Sequence, residues 1–507
     1  MSWSRRSSGH ISILWGDILF IRLLIVLSIV TMTWVGPVYA QDNRSIDGAT
    51  TIGEVLGYIT HFHLKETGVD VLVDGSIKGI IEQVGDPYTV YFPPGELDIF
   101  SEELNGDFEG VGVELELINQ LPTVVRVLEG TPAKHAGMLA GDSIIAVDGK
   151  SVLDLPLMEV INELKGKKGT QLNITVRREA EPDFQLSLTR AVINLPTIYQ
   201  RDLGNGVGYI AIDSFGMETG EEFGNALIQL AEKDLRALII DLRFNGGGYV
   251  DAAMEAASYI LGRDVTVFIT EDRDKIQDLY KTEFEPVIEE IPVVILINDQ
   301  SASAAELMAG AFQDYGIATL VGTNSYGKGT VQDIIPLQNG GALKMTTAYY
   351  LTPMGRSIDG IGLTPDYFVT TPELQLPIAK TVVQPKDIVV KFYAGENKMV
   401  FNEEDLSLQG AIKEQGNIYV PLRIALEALG YQVGWDNGLN GVRVTGKNQQ
   451  WLIPKGNKDS TINGVIQSLE HELLAKNNTI FISPIDLRNL GIEVFIQDET
   501  VILIKKK

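Results

Sequence analysis

The chain has 507 residues, 45% of them hydrophobic and 21% charged, which are the proportions of a folded protein too long for one ordinary core. Lys plus Arg number 41 against 67 Asp plus Glu, a formal net charge of -26, and no concentrated basic run appears, so nucleic acid is not expected as a partner. Cysteine is absent, which excludes disulfides, thiolate metal sites and a cysteine nucleophile.

Residues 1–40 begin with Arg5 and Arg6, then Arg22, an apolar run over 23–35, and Val38-Tyr39-Ala40 before Gln41. Positive region, short apolar region and small-residue cleavage site, in that order, read as a secretory signal. Apolar character over 11–20 leaves an uncleaved membrane anchor as the alternative. On either reading the bulk of the chain is expected outside the cytoplasm, secreted or held at the cell envelope.

Residues 49–104 are predicted as an amino-terminal helical region. Ile52, Val55, Leu56 and Ile59, then Ile77, Ile80, Ile81 and Val84, recur at helical spacing, and Asp86-Pro87-Tyr88 supplies a stop. Over 105–190 short β-type runs separated by glycine turns predict a compact β-rich module with one helix at 157–164. Residues 191–371 alternate strand and helix patterns, the signature of an α/β layered domain. Three prolines over 372–386 read as a linker. From 387 to 507 a weak repeat follows, each copy a strand, a helix, a glycine and a strand: Ile418-Tyr419-Val420-Pro421 leads to Gly430, and Ile480-Phe481-Ile482-Ser483 leads to Gly491.

The five histidines are His10, His61, His63, His135 and His471, so no Ser-His-Asp triad can be built within the α/β segment. That segment offers three other pieces. Ser301-Ala302-Ser303-Ala304-Ala305-Glu306 follows an apolar strand, where the free amides of a starting helix could stabilise an oxyanion, although such runs also begin ordinary helices. Gly327-Lys328-Gly329-Thr330 holds a lysine that can act as a base for serine if burial lowers its pKa; a solvated surface turn is the alternative. The upstream glycine of a phosphate loop is missing at the required spacing. Asp241-Leu242-Arg243-Phe244-Asn245 ends in Gly246, Gly247 and Gly248, which permit close approach of a peptide or form a tight turn.

Together with Asp86-Pro87-Tyr88 and the run Tyr350-Leu351-Thr352-Pro353-Met354-Gly355-Arg356-Ser357, these pieces resemble the carboxyl-terminal processing proteases, a family of Ser-Lys peptidases, over roughly residues 50–370. The resemblance implies Ser303 as nucleophile, Lys328 as its base 25 positions later and Gln332 to orient the lysine. It implies an oxyanion hole from the amides of Ala304 and of Gly246 or Gly247, with Glu306 and Asp314 in support. This chain has Gly246 where the family commonly has proline, which leaves the choice of glycine open. The chemistry so implied is an acyl-enzyme mechanism without metal or cofactor.

The β-rich module is similar to the PDZ domain of that family, through Gly110-Val111-Gly112-Val113 and the run from Thr131 to Gly137. Amides at that loop are implied to bind the free carboxylate of a protein or peptide substrate tail. The carboxyl-terminal repeat is similar to the amino-terminal domain of copper amine oxidases, through Val420-Pro421-Leu422-Arg423 and Gly434-Trp435-Asp436. With His471 as its lone histidine, copper gains no support there, and a cell-wall or envelope ligand is the partner expected. By resemblance the amino-terminal helices imply a homodimer. The expected architecture is thus an α/β multidomain chain: amino-terminal helices, a PDZ-like module inserted before an α/β protease core, and an α+β repeat domain. The alternative to an exported endopeptidase is a non-catalytic PDZ-containing envelope protein or scaffold.

Overall fold

A computed structural model describes residues 43–97, 107–179, 181–194, 197–288 and 290–507; the predicted signal lies outside them. The chain divides into two units, Met1–Gly85 and Asp86–Lys507. In the first, helices Asn43–Phe62 and Val69–Val84 form, the second ending at Gly85, whose left-handed conformation (φ 69°) returns its amide to the Glu82 carbonyl. The helical region expected over 49–104 is interrupted there, and part of it, 98–104, lies outside the described residues. Pro87 cannot continue a helix, and Val90–Phe92 is instead a strand paired antiparallel with Ala342, Leu343 and Lys344 in the second unit.

The β-rich module is a six-stranded sheet built on Val113–Ile118, Leu121–Val127, Ser143–Val147, Gln171–Arg177 and Phe184–Thr189, covered by helix Leu157–Leu164. Val124, Ile144, Val160, Leu172 and Ile174 are fully buried at its centre. Its entry strand Asp107–Gly110 pairs with its exit strand Ala191–Asn194, so the module leaves and rejoins the core at one place.

The core sheet runs Ile198–Asp202, Val207–Ile212, Ala237–Asp241, Val293–Ile297, Ala318–Gly322 and Tyr367–Phe368, parallel except for the first strand. Its central strands are apolar on both faces, as a doubly covered parallel sheet requires. Helices Thr219–Ala231, Val250–Leu261 and Ala304–Asp314 belong to one core cluster with it. A second sheet joins Ala342–Leu351 to Val90–Phe92, Thr266–Asp272 and Thr330–Pro336.

The predicted linker is not a linker. Pro372–Val383 is a helix with Pro372 in its first turn, where a missing N–H costs nothing, and Leu374, Ile378 and Ala379 are buried. It lies in one continuous core with Ile239, Val294 and Leu296 of the sheet and Val390, Leu426 and Leu503 beyond it. Proline count suggested a spacer because composition does not record which face of a segment is apolar.

In the last part, strand Asn417–Pro421, helix Leu422–Ala428 and strand Gln432–Asp436 make one copy of the repeat. Thr479–Ile482, the 3-10 helix Pro484–Leu490 and Glu493–Gln497 make the other, with left-handed Gly430 and Gly491 ending the helices. The copies meet where Val420 pairs with Ile482.

Candidate active site

Three loops meet at the carboxyl ends of the parallel strands, the usual place for a site in such a sheet: 243–248, 298–303 and 323–329. Ser303 stands at the start of helix Ala304–Asp314 with φ 56° and ψ -119°, a conformation that side chains other than glycine rarely adopt. Ser301 is different. Its hydroxyl is fully buried, donates to the Leu242 carbonyl at 2.7 Å and accepts from the Asn298 amide at 2.9 Å. Of the two serines, only Ser303 stands at the turn with its side chain partly accessible.

Glu306, 1% exposed, joins the Ser303 turn to the lysine loop. Its Oε2 accepts the amides of Ser303 and Lys328, each at 2.9 Å, and its Oε1 accepts the Gly327 amide at 2.7 Å and the Ser325 hydroxyl. Burial pushes its carboxyl upward, against these four hydrogen bonds, which favour the charged form. Lys328 is half-buried, and desolvation lowers its pKa below the ordinary lysine value; Lys344 adds to the depression and Glu306 opposes it. The ammonium lies 5.2 Å from the centre of the Tyr88 ring.

Tyr350 closes the other side. Its hydroxyl donates to the Lys328 carbonyl, its amide donates to the Gly329 carbonyl at 3.0 Å, and its phenol, held protonated by burial, faces the Ser303 side chain. Tyr88 and Tyr350 stand within the motifs Asp86-Pro87-Tyr88 and 350–357, but nothing local in the sequence pointed to these contacts. They arise because Val90 and Lys344 pair across the second sheet.

Of the two candidate glycines, Gly247 lies against Ser303. With φ 102°, a Cβ on it would stand 2.8 Å from Ser303 Cβ and 2.8 Å from the Ala302 carbonyl, whereas one on Gly246 meets nothing within 4 Å. The Gly247 amide donates to Asn245 Oδ1 at 2.8 Å. Ala304 is the first residue of its helix, so its amide has no intrahelical partner.

Two expected supports fall elsewhere. Gln332 donates to Thr330 Oγ1 at 2.8 Å and to the Thr330 carbonyl at 3.0 Å, and among the described residues no hydrogen bond joins it to Lys328. Asp314, at the far end of the nucleophile helix, accepts from Arg356 Nε at 2.7 Å and the Met354 amide at 2.8 Å; it fastens that turn rather than the site.

In the β-rich module, Gly110, Val111, Gly112 and Val113 line a groove of about 340 Å³ with Glu114, Leu115, Ile161, Leu164 and Lys165. Gly112 is left-handed (φ 84°) and passes so close to Thr131 that a Cβ would meet its side chain at 2.3 Å.

A serine at a helix-start turn, a half-buried lysine on the neighbouring loop and a grooved β-module inserted ahead of the sheet are the parts a serine-type protease would use. The chain matches peptidase family S41 over residues 206–369, a PDZ domain over 123–178 and the copper amine oxidase N-terminal domain over 400–504. It is 34% identical over 306 residues to the carboxy-terminal-processing protease of Bartonella bacilliformis, covering 59% of this chain and 70% of that one. It is 33% identical over 311 residues to the carboxy-terminal processing protease CtpA of Bacillus subtilis (61% and 66% covered). A probable CtpA-like serine protease of Staphylococcus epidermidis aligns at 29% identity over 490 residues (92% and 96%). Among solved structures it is similar to the photosystem II D1 C-terminal processing protease, at 24% identity and a TM-score of 0.41 over 74% of this chain and 98% of that one. The chain belongs to the carboxy-terminal processing proteases of family S41. The donor set of its last domain does not fit copper: His471 is its lone histidine, and among the described residues no group of three or more His, Asp or Glu side chains could hold a metal.

Proposed function

We propose that this protease is an exported endopeptidase that cleaves proteins presented by their free carboxyl tails, with Ser303 as nucleophile and Lys328 as general base. The observation that carries the reading is the shared Glu306 oxygen, which fixes the Ser303 and Lys328 backbones to one point. Burial lowers the pKa of Lys328, which makes the neutral amine, the form that can act as a base, more accessible than in an ordinary lysine. Export rests on the basic and apolar order of residues 1–40.

In this reading Lys328 takes the proton from Ser303 as its Oγ bonds to the scissile carbonyl carbon. The oxyanion faces the Ala304 amide at the helix start, and Gly247 supplies the second donor when its amide turns from Asn245. The carbon–nitrogen bond then breaks, and Lys328 passes its proton to the leaving amine. Water attacks the acyl ester, gives its proton to Lys328, and the ester bond breaks to release the acid and restore the Ser303 hydroxyl. The tail itself is received in the groove at Gly110, Val111, Gly112 and Val113, with Leu115, Ile161 and Leu164 beneath its last side chain.

Cleavage of an unfolded protein with an apolar carboxyl tail tests the assignment, comparing the parent chain, Ser303→Ala and Lys328→Ala. Cleavage by the parent alone is expected. Equal cleavage by all three would remove the mechanism, and a parent that binds tails without cutting would make the chain a binding protein.

A further inference from the structure

The carboxyl-terminal domain is linked to the glycine turn beside Ser303 through a chain of buried and part-buried polar contacts. Arg243 opens the glycine turn. Its Nε and Nη2 grip Asp241, at 2.9 Å to Oδ1 and 2.6 Å to Oδ2, and its Nη1 donates to Gln375 Oε1 at 3.0 Å. Gln375, 3% exposed, sits on helix Pro372–Val383 and donates its own amide to the Val369 carbonyl at 2.9 Å. Immediately before that helix, the Thr370 hydroxyl donates to Glu427 Oε1 at 2.6 Å and the Thr371 amide to Oε2 at 3.0 Å. Glu427 is fully buried in the carboxyl-terminal domain and also receives Arg423.

These groups run without a break from the repeat domain to the turn that carries Gly247. The Arg243 guanidinium, 18% exposed, is largely withdrawn from water, so removing one of its acceptors leaves an N–H poorly compensated. The apolar contacts point the same way, since the helix shares one core with the sheet and the repeat domain.

We propose that the carboxyl-terminal domain is a buttress for the oxyanion side of the active site, with Gln375 as the positioning residue that transmits its contact to Arg243 and the glycine turn. Gln375 touches neither substrate nor the reacting atoms. It acts by fixing Arg243, from which the backbone passes through left-handed Phe244 (φ 67°) to Asn245 and Gly247. The inference rests on the Ser303 and Lys328 reading given above.

The test uses the full chain and a peptide substrate ending in a free carboxylate. Gln375→Leu, which keeps the volume and removes both polar contacts, is expected to lower kcat about tenfold with KM changed less than about twofold. Gln375→Glu, which restores an acceptor for Arg243, is expected to recover most of that loss. Thr370→Val, a milder cut in the same chain, is expected to lower kcat about threefold and serves if Gln375→Leu does not fold. Trp435→Ala, exposed in the repeat domain and outside the chain of contacts, is expected to match the parent. A folded Gln375→Leu or Thr370→Val with parental kcat would overturn the proposal, as would Gln375→Glu being impaired as much as Gln375→Leu. An inactive parent, or an active Ser303→Ala chain, would instead overturn the catalytic reading on which it stands.

Discussion

The amides of Ser303 and Lys328 both donate to Glu306 Oε2, each at 2.9 Å. On the proposed reading these are nucleophile and base, carried by different loops, and a shared acceptor removes the freedom of one against the other. The second oxygen holds Gly327 and Ser325 in the same way, so the lysine loop cannot shift without breaking several buried bonds. Glu306→Ala would leave four donors short of their acceptor, and it is expected to lower kcat by about 100-fold or more. It is also expected to destabilise the fold by about 1–3 kcal/mol. Glu306→Gln should lie between it and the parent, as read by steady-state kinetics and thermal unfolding.

The pH dependence follows from Lys328. Its pKa is lowered first by burial and then by Lys344, and on the proposed reading its neutral amine is the catalytic base. Activity should therefore rise with pH through a value below that of an ordinary lysine. Lys344→Met removes a like charge, so the Lys328 pKa rises and the rising limb of kcat/KM moves to higher pH. A limb that stays in place would show that Lys344 does not act on the base. Because folding lowers the Lys328 pKa, the unfolded state binds the proton more tightly, and this group costs stability at pH values below its folded pKa. Lys328→Met should abolish cleavage and raise the unfolding temperature at neutral pH.

The glycine turn allows a clean contrast. Gly247→Ala places a methyl group 2.8 Å from Ser303 Cβ in a backbone conformation (φ 102°) that alanine rarely adopts, so activity should fall by about 100-fold. Gly246→Ala meets nothing within 4 Å and should keep parental kcat.

On the proposed reading, recognition of the tail is separable from chemistry. Leu115→Glu or Ile161→Glu puts a charge into the groove beside Val113, and either should raise KM for a substrate with a free carboxyl end while kcat changes little. Amidating the tail should reproduce that rise in the parent chain. Isothermal titration of a non-cleaved tail peptide against Ser303→Ala would report the same loss as affinity.

How much of this was legible depended on whether the deciding contact is local. The serine turn, the lysine loop and the glycine turn each carry their backbone demands in a few adjacent residues, so motif and spacing single them out as candidates. Glu306 was expected only as a support, because hydrogen bonds to residues 325–328 depend on loops brought together by the sheet. Tyr88 and Tyr350 acquire their places through the pairing of Val90 with Lys344, which spacing along the chain cannot show. For Gln332, implied by resemblance to orient the lysine, the described hydrogen bonds include those of its Nε2 to Thr330, two residues away. Helix Pro372–Val383 was missed for a simpler reason: its prolines outweighed the buried face made by Leu374, Ile378 and Ala379.

Labelling with a small serine-directed phosphonate, located by peptide mass mapping, tests the pairing of Ser303 with Lys328 most directly. An adduct on Ser303 in the parent chain, formed much more slowly in Lys328→Ala, is the predicted result. An adduct on another serine such as Ser301 or Ser325, or labelling of Ser303 at the parental rate without Lys328, would contradict it.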